Sequence, residues 1–238
     1  MIPKKIHYIW LGGKEKSNFI NSCIVSWKKM MPDYEIIEWN ENNLDIESIR
    51  KECRFFDECY KRKAYAYMSD YLRFKILYEN GGIYFDTDVQ VLKSFDNLLN
   101  NNFIAANVRN KNVESAIIGC EKTFKLLERV LEIYKIEIFN IDIYTSPSIL
   151  TKAINESNEQ IQLLPEKYLY PFYFDEIFRL NFINENTYTI HWWAKSWTDK
   201  KYNIFLNTKH IKNPLRKYFL ILKKTIGYYK RKVFKHGK

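Results

Sequence analysis

Cysteine is scarce in this chain of 238 residues: Cys23, Cys53, Cys59 and Cys120 stand at irregular spacing, with no CxxC pair. That excludes a disulfide framework and a cysteine-built zinc site, and reduced thiols in a cytoplasmic protein are the expectation. Long apolar runs are missing too. None approaches the roughly 18 uncharged residues that cross a bilayer. The opening MIPKKIHYIWLGG reaches Gly-Gly before any apolar stretch of signal-peptide length. Internal repeats and low-complexity linkers are also absent, so residues 1–200 are expected to form one domain.

The most informative absence is of acidic residues at the C-terminal end. From Lys200 to Lys238 there are thirteen Lys and Arg and no Asp or Glu. The formal charge of +10 therefore divides into a body of −3 and a tail of +13. A balance of +10 would ordinarily suggest nucleic acid or an anionic membrane. Only the tail carries the excess, and the acidic body would repel nucleic acid, which is not expected as a partner.

Hydrophobic residues make up 46% and aromatics 17% of the chain, enough to bury a core. Ile6 to Leu11 is an apolar, β-prone run ended by Gly12-Gly13. Phe19, Ile20, Cys23, Ile24 and Trp27 follow at helical spacing up to Pro32, and Tyr34 to Trp39 then has the composition of a second strand. This β-α-β opening predicts an α/β domain with a parallel sheet. The longest helical pattern is Tyr60 to Asn80, with Gly81-Gly82 placed as a C-cap and a short strand, Ile83 to Phe85, directly after. Further strands are expected at Val89 to Leu92, Phe103 to Ala106, Ile161 to Leu164 and Tyr188 to Trp192, and helices at Glu121 to Ile136 and Ser148 to Asn155.

The densest chemistry lies between Lys63 and Val89, KAYAYMSDYLRFKILYENGGIYFDTDV. Asp86 and Asp88 are two apart after an apolar strand, so both carboxylates can point to one side. Hard oxygen ligands in that position suit Mg²⁺ or Mn²⁺, with phosphates and water completing the shell. A DxD by itself is most often a polar turn. This one follows a Gly-Gly, a strand and a helix carrying Asp70 and Arg73, which lie i and i+3 on one face.

The run SDYLRFKILYENGGIYFDTD resembles the DXD sugar-binding region of glycosyltransferase family 32. That group includes bacterial capsular and lipopolysaccharide glycosyltransferases, yeast mannosyltransferases and, more distantly, the large clostridial glucosylating toxins. IPKKIHYIWLGG resembles the family's opening strand, and IHWWAKSW at Ile190 to Trp197 its closing His and Ser-Trp motif. The three matches span residues 2 to 197 in order.

The resemblance implies a GT-A type single domain with a Rossmann-like nucleotide-binding half, dependent on Mn²⁺ or Mg²⁺ and transferring sugar with retention of configuration. Asp86 and Asp88, flanking Thr87, would bind the metal and the donor diphosphate, and Asp70 and Arg73 the donor sugar. Trp10 would stack on the nucleotide base with Ile9 and Leu11 beside it. His191, Ser196 and Trp197 would close over the diphosphate, His191 as a third metal ligand. Without the resemblance, Trp10 is more often a core aromatic and His191 more often a hydrogen-bonded buried histidine than a ligand. Trp192 stands where many relatives have a second His, and Lys195 where a small residue is common. TSPSILTKAI at Thr145 to Ile154 resembles a Thr-Gly-Pro segment with Ser146 in the glycine position; a helix opening at Pro147 would account for it equally well.

Beyond Pro214, Leu215, Tyr218, Phe219, Leu222, Ile226, Tyr229 and Val233 recur at spacings of three and four. Arg216-Lys217, Lys223-Lys224 and Lys230-Arg231 recur every seven residues beside them. This is the pattern of a basic amphipathic helix in an anionic membrane interface; a helix docked on the domain with a solvated basic side is the alternative. The expectation is thus a catalytic domain over 1–200 and a membrane-association segment over 201–238. Such an enzyme would sit on the inner face of the cell membrane and extend a lipid-linked glycan in bacterial surface polysaccharide synthesis. A toxin-like transferase acting on protein and a non-catalytic membrane-binding module are the alternatives.

Overall fold

The structure, a computed structural model, describes residues 1–109, 112–158, 160–194 and 204–235, with side chains of the last helix described to residue 226. Strand β1 (Lys5–Ile9) runs into helix α1 (Asn18–Met30), strand β2 (Glu35–Trp39), and helices α2 (Ile46–Glu52), α3 (Arg54–Lys61) and α4 (Tyr65–Asn80). Strands β3 (Gly82–Phe85), β4 (Val89–Val91), β5 (Phe103–Ile104), β6 (Asn107–Val108), β7 (Asn112–Val113) and β8 (Ile117–Cys120) follow. Helices α5 (Lys125–Glu132), α6 (Ser146–Glu156) and α7 (Glu166–Leu169), strand β9 (Thr189–His191) and a C-terminal helix (Pro214–Lys235) complete the order.

Five strands form the main sheet in the order β2-β1-β3-β8-β5. β1 is parallel to both β2 and β3, as the β-α-β opening predicts, but β8 and β5 add antiparallel. The sheet is therefore mixed rather than wholly parallel. β1 is flanked by partners reached through crossovers on opposite sides, and the core divides accordingly. On one face α1 buries Ile20, Ile24 and Trp27 against Ile6, Tyr8, Phe85 and Phe95. On the other α4 buries Met68, Leu72, Phe74 and Leu77 against Phe55, Phe56, Tyr84 and Tyr134. A second small sheet pairs β4 with β9 antiparallel, Val89 opposite His191.

Local chemistry accounts for the element ends. Ser17 caps α1 by accepting from the Ile20 N–H. Gly81 and Gly82 have φ of 65° and 99°, and a Cβ on Gly82 would lie 2.8 Å from the Lys5 carbonyl oxygen, so only glycine lets the chain turn from α4 into β3 this close to β1. The continuous helix expected over Tyr60 to Asn80 is instead two, broken at Arg62–Ala64 where Lys63 takes φ of 53°. The strand expected at Ile161 to Leu164 is reduced to a single bridge between Leu164 and Ala106. The helix expected from Glu121 starts at Lys125 and widens into a π-turn over Ile133–Glu137.

All four cysteines are buried and free. Among the described residues no helix is long and apolar enough to cross a membrane. Past residue 200, a helical turn at 204–206 returns to the body. There Leu206 is buried, Phe205 lies 4.0 Å from the Arg62 guanidinium, and Lys209 donates to the Ile141 carbonyl.

Candidate functional site

In an open α/β sheet, ligands collect beyond the carboxyl ends of the strands where successive crossovers diverge. Here that point lies between β1 and β3, and the chain puts Trp10 after one and Asp86-Thr87-Asp88 after the other. The turn at 86–88 is closed by Asp86 N–H donating to Ala116 O at 2.8 Å and Val89 N–H to Asp86 O at 3.0 Å.

The two carboxylates are held differently. Asp86 accepts from the Tyr84 hydroxyl at 2.8 Å and lies 3.2 Å from Arg73 Nη1. Asp88 lies 3.2 Å from His191 Nε2 and accepts from the Ala194 N–H at 2.8 Å. Ligand atoms of Asp86, Asp88 and His191 all lie within 4.8 Å of one another. Burial alone would push the Asp88 carboxyl up, but the hydrogen bond and charge of His191 outweigh it and hold the group below its ordinary value. Burial likewise works against a charged His191, and the facing carboxylates of Asp88 and Asp86 win, raising it. Two carboxylates and an imidazole whose buried Nδ1 has no hydrogen-bond partner among the described residues form a donor set suited to a divalent cation. Thr87 is half-buried at the turn.

Behind this cluster Asp70 and Arg73 are almost wholly buried. Arg73 Nη2 donates to Asp70 Oδ1 at 2.9 Å and Nη1 to the Ser115 carbonyl at 2.9 Å. Its guanidinium lies 4.8 Å from the centre of the Tyr84 ring. Burial drives the Asp70 carboxyl upward, opposed by the Arg73 charge and by the Ser146 hydroxyl, and the net direction is up.

Trp10 is partly buried, its indole N–H donating to the Lys14 carbonyl at 2.5 Å and the Lys16 ammonium 5.5 Å from the ring centre. Ile9 and Leu11 do not share its setting: Ile9 is buried in the α4-side core, against which Leu11 packs from the edge. Lys195, Ser196 and Trp197 lie outside the described residues.

Sequence reasoning passed over four contributors. Tyr84 was the most legible, standing two residues before Asp86 on the same strand face. Ser115 and Glu114 enter from the loop between β7 and β8; burial raises the Glu114 carboxyl, countered by the His191 and Arg73 charges. Trp193, at φ of 53°, lies 4.0 Å from the His191 ring and donates its indole N–H to Phe172 O at 3.0 Å.

Residues 17–104 match the family model described as "Glycosyltransferase sugar-binding region containing DXD motif", a span that contains Asp70, Arg73, Asp86 and Asp88 but neither Trp10 nor His191. The chain is 26% identical over 192 residues to "Uncharacterized glycosyltransferase L373" of Acanthamoeba polyphaga mimivirus, covering 72% of this chain and 74% of the relative. It is 33% identical over 102 residues to "Inositol phosphoceramide mannosyltransferase 3" of Schizosaccharomyces pombe, which covers 41% of this chain and 27% of that protein. Among solved structures, "PaToxG Glycosyltransferase" superposes with a TM-score of 0.54 at 19% identity, over 65% of this chain and 69% of that one. That likeness establishes a shared GT-A type fold.

Proposed function

Because the chain carries the DXD sugar-binding region of a family-32-like glycosyltransferase, we propose that it is a metal-dependent, retaining enzyme. It moves a sugar from a nucleotide-sugar donor to a glycan acceptor on a lipid carrier in surface polysaccharide synthesis. The observation that carries the reading is the convergence of Asp86, Asp88 and His191 on one point, with all ligand atoms within 4.8 Å, at the sheet's ligand-binding edge.

A bound Mn²⁺ or Mg²⁺ would supply positive charge to the departing diphosphate without proton transfer. In this reading Asp86, Asp88 and His191 hold the cation, and the two aspartates act through charge rather than as bases. Tyr84 and Arg73 orient Asp86, while Ala194 N–H and His191 orient Asp88. Asp70 and Arg73 face the donor sugar. The half-buried Trp10 ring lies beside the base, with Ile9 supporting the strand beneath it and Leu11 at its edge; Thr87, Ser196 and Trp197 complete the donor's surroundings. Retaining hydrolases place a nucleophilic carboxylate about 5 Å from the acid; here Asp70 and Asp86 are paired with Arg73 and Asp88 with His191, which favours attack from the leaving-group face.

The C-terminal helix supports the lipid-linked part of the reading. Leu215, Tyr218 and Phe219 are 63–70% exposed beside Arg216, Lys217, Lys223 and Lys224, an apolar face unpaired with the body and flanked by cations, as an anionic bilayer interface requires. The deciding experiment is metal-dependent hydrolysis of a panel of UDP- and GDP-sugars, followed by transfer to lipid-linked oligosaccharide. Absence of hydrolysis with Mn²⁺ or Mg²⁺ present sinks the enzyme reading, and transfer confined to a protein acceptor sinks the lipid-linked one.

A further inference from the structure

The buried array behind the carboxylates is closed into a ring by two hydroxyls. Ser146 Oγ donates to Asp70 Oδ1 at 2.7 Å and accepts from Ser115 Oγ at 2.8 Å, while Arg73 joins the same Asp70 oxygen to the Ser115 carbonyl. With Asp70 ionised by its pairing to Arg73, its carboxylate can only accept, so the Ser146 proton goes to Asp70 and Ser115 donates to Ser146. None of the four residues is more than 4% exposed, and they come from three separate places: α4, the loop before β8, and the start of α6.

We infer that the Ser115–Ser146 hydroxyl pair is a positioning device for the sugar end of the donor site. It fixes the rotation of the Asp70 carboxylate and, through Arg73, ties it to Asp86. The inference rests on the proposed reading of Asp70 as a sugar contact and goes beyond it, because it assigns a role to two hydroxyls, those of Ser146 and Ser115, that hold Asp70 from behind. A glycine at 146 cannot supply this donor. Two charge-assisted bonds on one oxygen, from Arg73 and Ser146, hold an almost wholly buried carboxylate in a single orientation, which is what a group that recognises one hydroxyl of a sugar needs.

The test compares wild type with Ser146→Ala, Ser146→Gly and Ser115→Ala in the presence of Mn²⁺. The probes are UDP and GDP alone against UDP-glucose, UDP-galactose and GDP-mannose, read by calorimetric titration and by the donor KM and kcat of hydrolysis. Loss of a hydrogen bond to a buried carboxylate should weaken nucleotide-sugar binding about tenfold in both Ser146 variants and a few-fold in Ser115→Ala, with the bare diphosphate within about twofold of wild type. A loss that strikes the diphosphate and the sugar nucleotide equally indicates a general structural role and overturns the inference. So does a Ser146→Gly variant that binds the sugar nucleotide as wild type does, and in that case the functional reading survives. A wild type that binds no sugar nucleotide overturns both.

Discussion

His191 is the cross-strand partner of Val89, and that one pairing carries its imidazole to within 3.2 Å of Asp88. The DxD turn ends one residue before β4, so the same ladder that closes the small sheet also completes the proposed cation-binding cluster. The arrangement makes the contributions of the two strands separable by mutation.

Asp88→Asn keeps the shape of the side chain and removes its charge. Sugar-nucleotide hydrolysis is expected to fall below detection with far-UV circular dichroism unchanged, and excess chelator should do the same to wild type until Mn²⁺ is restored. Full activity in the variant or in chelator would rule out metal dependence.

Trp193 packs on the His191 ring at 4.0 Å and is tied down by Phe172 O. Groups that orient a metal-binding histidine typically matter by 10–100-fold in affinity. Trp193→Ala should therefore weaken Mn²⁺ binding by about tenfold or more in a titration without donor, whereas Trp193→Phe should recover most of it. Equal Mn²⁺ affinity in all three proteins would show that the indole has no part in placing the imidazole.

His7 is fully buried, with Nε2–H donating to Gly81 O at 2.9 Å and Nδ1 accepting from the Trp39 indole at 3.0 Å. Burial, the dominant cause, drives its pKa down to about 4, so the folded protein keeps it neutral where the unfolded chain binds a proton. Its contribution is complete above about pH 6.5 and is lost as pH falls toward 4, at most about 3 kcal/mol. Urea midpoints of wild type should fall over this window more steeply than those of His7→Asn. Parallel pH profiles would refute the assignment.

Gly82→Ala places a methyl 2.8 Å from the Lys5 carbonyl oxygen at φ of 99°. Strain of this kind costs about 1–3 kcal/mol, and urea unfolding should report at least that loss. A neutral substitution would mean that β1 and β3 are less closely apposed than described.

Replacing Arg216, Lys217, Lys223 and Lys224 with Gln should cut partitioning onto anionic vesicles by roughly a hundredfold or more, at about 1 kcal/mol per charge near the surface. Donor hydrolysis in solution should be untouched. Unchanged sedimentation with vesicles would eliminate the helix as the attachment point.

How far the sequence disclosed this molecule depended on the range of the interaction. Asp86 and Asp88 were legible because a two-residue period after an apolar strand is a local signal, and Gly81-Gly82 because a glycine pair after a helical pattern is another. β8 was passed over: Ile117–Cys120 is a short apolar run that periodicity cannot tell from a buried helical segment. The break at Lys63 was equally hidden, since KRKAYAY contains no glycine or proline to announce the φ of 53° that Lys63 adopts. Ser146 was visible only as a departure from a pattern. Its bond to Asp70 depends on the start of α6 meeting α4, a contact 76 residues apart in the chain.

The return of the chain at 204–210 sets a length. Lys209 is fastened to the Ile141 carbonyl and the last helix begins at Pro214, which leaves a leash of four residues, five Cα-to-Cα steps that can extend no further than ~18 Å. In the proposed reading, where the helix lies on a membrane, so short a leash keeps the donor site close to that surface and favours acceptors whose reactive hydroxyl stands near it.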